Sequence, residues 1–461
     1  MRFDGPEEST TMAIPPIDYE SEQEEIFDRN VPERPPRILP RAEHAVSRKL
    51  LSSGALKVLY RLKNQDYRAY LCGGAVRDLL LGGRPKDFDV CTDARPDELR
   101  RLFRNARIIG RRFRLAHVIF HDGVVEVSTF RRTPDPEEQK RGKGELLITS
   151  DNTFGTPRED AFRRDFTINA LFYNVEDFSV IDYTGGIDDL RHRLVRVIGD
   201  PAVRFCEDPV RMLRACEFAG RLGFGIEART QEAIQEYRDE VLKAAPARLT
   251  EELLQLLKCG RAGASMQWML DLGLLDALLP EALAMIEANE RGAGDFSGIL
   301  PVLDQMSRDG REPPDVVLLG AVLLPQIMLR RYEVESVRRQ LMSLDAFRQV
   351  ASETMEPFFA RFSVANYKRA ALAQALEGFH RLCDPGWTPG QRVRFASKSY
   401  FDDALMLFEI LVRATGEGHD ALEHWQAARR QRPRRPQPQV EGRRRRRPRR
   451  RRRRGRGGGD T

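Results

Sequence analysis

The sequence predicts an α+β protein: a small mixed-sheet head, then an all-helical neck and body, then a disordered basic C-terminal tail. Three observations lead there. Strand and helix patterns alternate between Ala69 and Phe130, helical spacing takes over near Asp200 and holds to about Arg430, and residues 429–461 contain 17 arginines against two acids. In chain order the divisions fall at 1–38 (acidic and proline-rich), 39–190 (head), 191–260 (neck), 261–428 (body) and 429–461 (tail).

The N-terminal stretch, with PPIDYESEQEE and VPERPPRILP, has too little apolar surface to order itself and no apolar core of a secretory signal. Apolar residues at helical spacing from Ser47 to Leu62 predict a helix. Strands are expected at Ala69–Cys72, Phe88–Cys91, Ile108–Ile109, His117–Phe120 and Val124–Phe130. Between the first two lies a helix, Val76–Leu81, closed by Gly82-Gly83, and another, Asp97–Phe103, starts after Pro96. Residues 133–156 are polar with Pro and Gly, a long loop of the kind that serves a site. Helices follow at Asp208–Leu222, Thr230–Ala244 and Leu249–Leu257. The longest apolar run, Val316–Leu329, has 14 residues with Pro325 inside, too short to span a bilayer, so no membrane partner is expected.

The net charge of +7 averages two unlike parts: the tail carries +15, and the other 428 residues hold 59 bases and 67 acids, a net −8. The six cysteines are scattered with no C-x-x-C pair, which argues for a reducing, cytoplasmic setting and against a zinc site or a disulfide scaffold.

Chemistry gathers in YLCGGAVRDLLLGGRPKDFDV, Tyr70 to Val90. Asp87 and Asp89, one residue apart on a strand, would point to one face. Two like charges that close ask for a cation. Gly73 and Gly74 end a strand before a helix, where backbone amides meet phosphates. A bare DFD is more often a surface pair; the whole run is far more specific. Together these parts describe a nucleotidyl-transfer site with Mg²⁺ as cofactor, one ion activating a hydroxyl and a second stabilising pyrophosphate. A third carboxylate would come from Glu126, in VVEVSTF, or from Asp165, in FRRDFTINALFYN. Arg163 and Arg164 precede Asp165; such a pair is ordinarily solvated, but beside phosphates it is a clamp. Asn169 lies four residues after Asp165 and would reach a sugar or phosphate.

A second constellation is GDPAVRFCEDPVRMLRACEF, Gly199 to Phe218. With Pro209 early in a helix, Asp208, Arg211 and Arg214 share one face. That pattern is either ordinary acid–base pairing along a helix or base recognition. A carboxylate and a guanidinium together match the amine-plus-acceptor edge of adenine and cytosine and reject guanine and uracil. They do not separate the first two.

The motifs GGAVRDLLLG…KDFDV, RRDFTINAL, DYTGGIDDL and EDPVRMLRA resemble those of the class II nucleotidyltransferases, the family of bacterial poly(A) polymerases and tRNA CCA-adding enzymes. The resemblance spans about Ser47 to Gly225 and implies a Mg²⁺-dependent head, a base-reading neck, and nucleotide transfer to an RNA 3′-hydroxyl. Carried over by motif, Asp87 and Asp89 would bind metal and Asp165 would be the third carboxylate. Gly74, Arg77 and Arg164 would hold the triphosphate of ATP, and Asp208 and Arg211 would read the base. Gly73, Asn169 and Arg214 join the ATP set by position. Glu217 stands where the family has an arginine, so that contact falls to Arg214 or Arg221. IIGRRFRLAHVIF, with Arg111, Arg112 and Arg114 in a basic turn, resembles the poly(A) branch, and the tail supports it. Arg443, Arg444, Arg445, Arg446 and Arg447 would neutralise phosphates of single-stranded RNA without reading sequence. The expectation is template-independent AMP addition to RNA 3′ ends, serving mRNA polyadenylation and turnover. A CCA-adding enzyme is the alternative within the family, and an inert RNA-binding or assembly protein the alternative outside it.

Overall fold

The sheet that carries the site is built from short strands whose alternate residues are apolar on both faces. In a computed structural model, residues 35–110, 114–133, 153–287, 296–338 and 341–432 are described. The basic-turn residues Arg111 and Arg112, most of the long loop, and Arg443 to Arg447 lie outside them. The strands are β1 (Arg37–Leu39), β2 (Ala69–Cys72), β3 (Asp89–Thr92), β4 (Ala106–Ile109), β5 (Leu115–Phe120), β6 (Gly123–Thr129), β7 (Leu171–Tyr173) and β8 (Val180–Asp182). They form one sheet in the order β1-β8-β7-β2-β3-β6-β5-β4. Only the β3–β6 pairing within it is parallel. The mixed head is therefore as expected. Leu71, Val90 and Val127 turn into the main core, while Cys72, Cys91, Phe130 and Phe172 turn into a smaller apolar cluster on the other face.

Several elements differ from the sequence reading at their ends. β1 begins at Arg37, inside the stretch expected to be disordered, because its register with β8 (Arg37 opposite Asp182) extends the sheet. The first helix, α1 (Ser53–Lys63), starts six residues later than expected, where the Ser52 hydroxyl accepts from the Ala55 N–H. Helices α2 (Gly74–Leu80) and α3 (Pro96–Leu102) lie close to expectation. Strands β7 and β8 had no strand signal of their own: each has three residues, all buried.

Two short helices support the site from behind. α4 (Pro157–Phe162) opens on a capping box between Thr156 and Glu159. α5 (Gly186–His192) follows a turn in which the buried Asp182 carboxylate accepts four backbone N–H groups, from Thr184, Gly185, Gly186 and Ile187, at 2.9 to 3.1 Å. The acid of the DYTGGIDDL motif is thus structural. It satisfies donors that the turn would otherwise bury unpaired.

Next come α6 (Pro201–Glu207), α7 (Val210–Leu222), α8 (Ala228–Tyr237), α9 (Pro246–Lys258) and α10 (Ala262–Asp271). Strands β9 (Leu194–Val195) and β10 (Gly225–Ile226) pair in parallel beside them. Further helices run from Leu274–Leu278 to His419–Gln431, so the helical pattern reaches just into the expected tail. Helix α7 is buried nearly all round, which explains its run of Val210, Met212, Leu213, Ala215, Cys216, Phe218 and Ala219. It crosses α10 at Gly220, where a Cβ would stand 2.3 Å from the Ser265 hydroxyl and 2.5 Å from its backbone nitrogen. Backbone cannot yield there as a side chain would. Gly220→Ala is expected to lower unfolding free energy by about 1–3 kcal/mol in chemical denaturation.

Candidate active site

A cleft of about 580 Å³ opens where β2, α2 and β3 meet α7, large enough for a nucleotide. Its walls carry six bases (Arg77, Arg84, Lys86, Arg164, Arg214, Arg221) and four acids (Asp78, Asp87, Asp89, Asp165). The excess of positive charge suits a polyphosphate. Gly73 forms the turn into α2 with φ of +72°, and a Cβ there would come 3.0 Å from Arg164 Nη1. Only glycine combines that backbone with that approach. Gly74 lines the cleft beside it.

Asp89 begins β3, but Asp87 lies two residues before the strand, so the two acids do not share a strand face as expected. Both nevertheless border the cleft. The sheet supplies a third acid. In the parallel β3–β6 pairing Asp89 is opposite Glu126, which places the two carboxylates side by side. Burial first, then the charge of Glu126, pushes Asp89 up to about 6; Arg164 works the other way and Asp87 adds to the rise. Glu126 is also held by His117 on β5, with Nε2 to Oε1 at 3.0 Å. A second cavity of about 320 Å³ lies beyond Asp89, lined by Glu126, Ser128, Leu115, Arg131 and Arg163 among others. Asp89 and Arg164 border both cavities.

Asp165 is placed differently from the other two candidates. It lines the cleft, yet its oxygens are already taken. Oδ1 accepts from the Phe166 N–H at 2.8 Å and Asn169 Nδ2 at 3.1 Å; Oδ2 accepts from Arg214 Nε at 2.8 Å and lies 2.7 Å from Nη2. Burial alone would raise its pKa, but the Arg214 charge and these hydrogen bonds outweigh it and hold the acid down at about 2. Asn169 in turn accepts from Arg77 Nη1 at 2.6 Å through its side-chain oxygen. Of the two candidates for third carboxylate, Glu126 is in register with Asp89, and Asp165 is paired with Arg214, joining α7 to the head.

Arg164 donates to Asp160 Oδ2 at 3.0 and 3.2 Å, to the Asn169 carbonyl at 3.1 Å and to Cys91 Sγ at 3.1 Å. Asp160 is itself buried and also takes Arg163 Nε at 2.9 Å. Cys91 is joined to Cys72 by a disulfide across Cα positions 6.3 Å apart. One such bond is no scaffold, but the scattered cysteine spacing did not predict it, because the partners belong to neighbouring strands separated by a helix. Cys206, Cys216, Cys259 and Cys383 are free.

Asp208 and Arg211 do not border the cleft, which corrects the shared-face expectation. The helix breaks between Glu207 and Val210, and Asp208 there has a non-helical backbone (φ −151°, ψ 84°). Its carboxylate is gripped by both terminal nitrogens of Arg248 on α9. Arg211 is buried, donating to the Arg204 carbonyl at 3.0 Å. The cleft is lined instead by Arg214, Phe218 and Arg221 of α7, and by Arg84 and Lys86 of the loop before Asp87. Those last two were overlooked, although a basic pair flanking DFD was a readable signal. Glu217 pairs with Arg221 at 2.6 Å, so Arg214 and Arg221 stand at the cleft where the family arginine was expected. Arg114 is exposed, its carbonyl accepting from Arg131.

Among the described residues no three His, Cys, Asp or Glu side chains are gathered tightly enough to hold a metal unaided. The donor set still fits Mg²⁺, which takes oxygen ligands and shares them with substrate phosphates. Asp87 and Asp89 would hold it, and the crowding of Asp87, Asp89 and Glu126 is what a cation relieves.

A mixed sheet offering acids to a glycine turn and an arginine-lined cleft is the arrangement that the sequence motifs lead one to expect of a nucleotidyltransferase head. Residues 69–196 match the family described as poly A polymerase head domain, and residues 223–286 the family described as probable RNA and SrmB- binding site of polymerase A. The head therefore resembles poly A polymerase heads over residues 69–196. Poly(A) polymerase I of Salmonella typhi is 51% identical over 248 residues, 53% of each chain. That of Haemophilus influenzae is 40% identical over 274 residues, 59% of each. A CCA-adding enzyme of Bacillus licheniformis is 38% identical over 224 residues, 49% of this chain and 55% of that one. The chain thus matches about half the length of these curated relatives. Among solved structures, the Bacillus stearothermophilus CCA-adding enzyme in complex with CTP shares the fold, with a TM-score of 0.56 and 24% identity over 82% of this chain and 81% of that one.

The raised pKa of Asp89 carries a stability cost of definite sign. Its folded value, about 6, exceeds the ordinary 3.8, so the folded state holds the extra proton and stability falls as pH rises between those values. Without metal, Asp89→Asn is expected to be more stable than the parent at pH 7, by up to about 3 kcal/mol, the gap narrowing toward pH 4. Denaturant titrations in chelator at both pH values measure it.

Proposed function

We propose that the protein transfers AMP from ATP to RNA 3′ ends without a template, releasing pyrophosphate. The observation that carries this reading is the position of Asp89, in the wall between two cavities, with Glu126 beside it and the glycine turn and cation cluster on one side. A nucleotide in the larger cavity and an RNA end in the smaller would meet at its carboxylate. Divalent cations, when bound by Asp87 and Asp89, would activate the attacking hydroxyl and stabilise the leaving pyrophosphate. The chain itself supplies the rest. Gly73 and Gly74 let the phosphates approach the backbone, Arg77, Arg164, Arg214 and Arg221 neutralise them, and Asn169 keeps Arg77 aimed. Unstructured RNA suits the arginine-rich C-terminal segment, whose contacts would be sequence-independent. The relatives named poly(A) polymerase I support the same reading. No described helix is long and apolar enough to cross a membrane.

The CCA-adding alternative needs a pocket that accepts both cytosine and adenine. The grip of Arg248 on Asp208 engages both carboxylate oxygens and so weakens the acceptor that the exocyclic amine of adenine or of cytosine would use. With Asp208 withdrawn, base reading falls to guanidinium donors held in fixed positions. An inert binding protein would not need three acids crowded at a cost to stability.

The deciding assay offers purified protein, Mg²⁺ and each nucleotide triphosphate alone to an unstructured RNA and to a tRNA lacking its 3′ end. The expected product is a long ladder on the unstructured RNA with ATP only. Up to three additions on the tRNA, needing CTP, would move the protein to the CCA branch, and no addition at all would favour the binding protein. In the same assay Arg248→Ala, which frees Asp208, is expected to raise use of ATP and CTP alike over GTP and UTP about tenfold, the worth of one hydrogen-bonded base contact. Removing residues 433–461 should weaken RNA binding and flatten its salt dependence by about 0.7 per lost phosphate contact, with ATP binding unchanged.

A further inference from the structure

Three of the cleft arginines come from different places: Arg77 from α2 and Arg214 and Arg221 from two turns of α7. Their guanidinium carbons lie 5.1, 5.2 and 5.1 Å from the centroid of one ring, that of Phe218. We propose that Phe218 is a positioning residue for the phosphate chain of the nucleotide, holding these three guanidiniums at the spacing a triphosphate requires. The proposal rests on the nucleotide-transfer reading of the cleft.

Three like charges around one point repel, and the site answers in two ways. Each arginine has its own acid: Asp78 for Arg77 at 2.7 Å, Asp165 for Arg214 at 2.7 Å and Glu217 for Arg221 at 2.6 Å. These acids fix charge but are spread over three backbone segments and do not set the distances between the cations. The ring does, because its electron-rich π-system attracts all three from one place. Phe218 is only 6% exposed, and it meets Phe166, the neighbour of Asp165, edge to face at 5.6 Å. It is therefore held from behind while its cations border the cleft. Glu217 belongs to the same arrangement, because it holds Arg221 beside the ring.

The test separates phosphate from base. Calorimetry would measure binding of inorganic tripolyphosphate and of adenosine to the full chain, with AMP transfer followed in parallel. Phe218→Leu keeps apolar bulk but removes the π-system, and Phe218→Tyr restores it. The expected result is tripolyphosphate binding about tenfold weaker in Phe218→Leu, the order of two or three lost cation–π contacts. Adenosine binding should be unchanged and Phe218→Tyr close to wild type. Unchanged tripolyphosphate affinity, equal weakening of both ligands, or a Phe218→Tyr variant no better than Phe218→Leu would each overturn the role. A wild-type chain that binds tripolyphosphate but transfers no AMP would instead remove the transfer reading and leave the ring's role standing.

Discussion

The partly buried ion pair between Asp165 and Arg214 is the joint on which the site depends. Asp165 belongs to the turn after α4, Arg214 to α7, so the pair fixes the helical part of the cleft to the sheet part. Its effect spreads through single hydrogen bonds: Asp165 holds Asn169, Asn169 holds Arg77, and Arg77 meets Phe218 on the same helix as Arg214. A pair of this kind adds little stability over an apolar contact, and because Arg214 reaches solvent, losing one partner costs less than the roughly 3–5 kcal/mol of a fully buried pair. It is a device for position more than for stability.

Opposite this joint stand acids that the fold leaves crowded. Asp89 is in register with Glu126 and near Asp87, and its raised pKa records the strain of that arrangement. Asp165 shows the contrast. It is more deeply buried, yet its pKa is driven down because every oxygen has a partner. Two partly buried carboxylates within one cleft thus have opposite tendencies, one satisfied by its hydrogen-bond partners and one crowded by like charge. That difference separates scaffold from chemistry better than proximity does, since both border the same space.

Much of this was legible in residue order and some was not. The Gly73 turn, α2 and the acids at 87 and 89 lie within one short segment, so local pattern was enough to find them. The choice between Glu126 and Asp165 was not local. It depends on which strand pairs in parallel with β3 and on what Arg214 does 49 residues downstream of Asp165. Strands β7 and β8 escaped because three buried residues carry no alternation to read. The Cys72–Cys91 link and the grip of Arg248 on Asp208 joined residues that no spacing rule connects. The helix break at Asp208 also had a signal that was misweighed: Asp-Pro favours an extended residue before the proline, so the helix could not run smoothly through it.

That break bears on what the neck can read. An acid and an arginine one turn apart on a continuous helix would face a base together, and the pair would accept adenine and cytosine alike. Here the acid is turned out of the helix and neutralised by a residue of α9, while the arginine is tied to the carbonyl of Arg204. Changing the base read would then require moving α9 against α7, which are packed elements with buried leucines between them. Packed interfaces shift between discrete arrangements and do not deform continuously. A neck so braced resists that movement. Any such movement would have to open the Asp208–Arg248 ion pair.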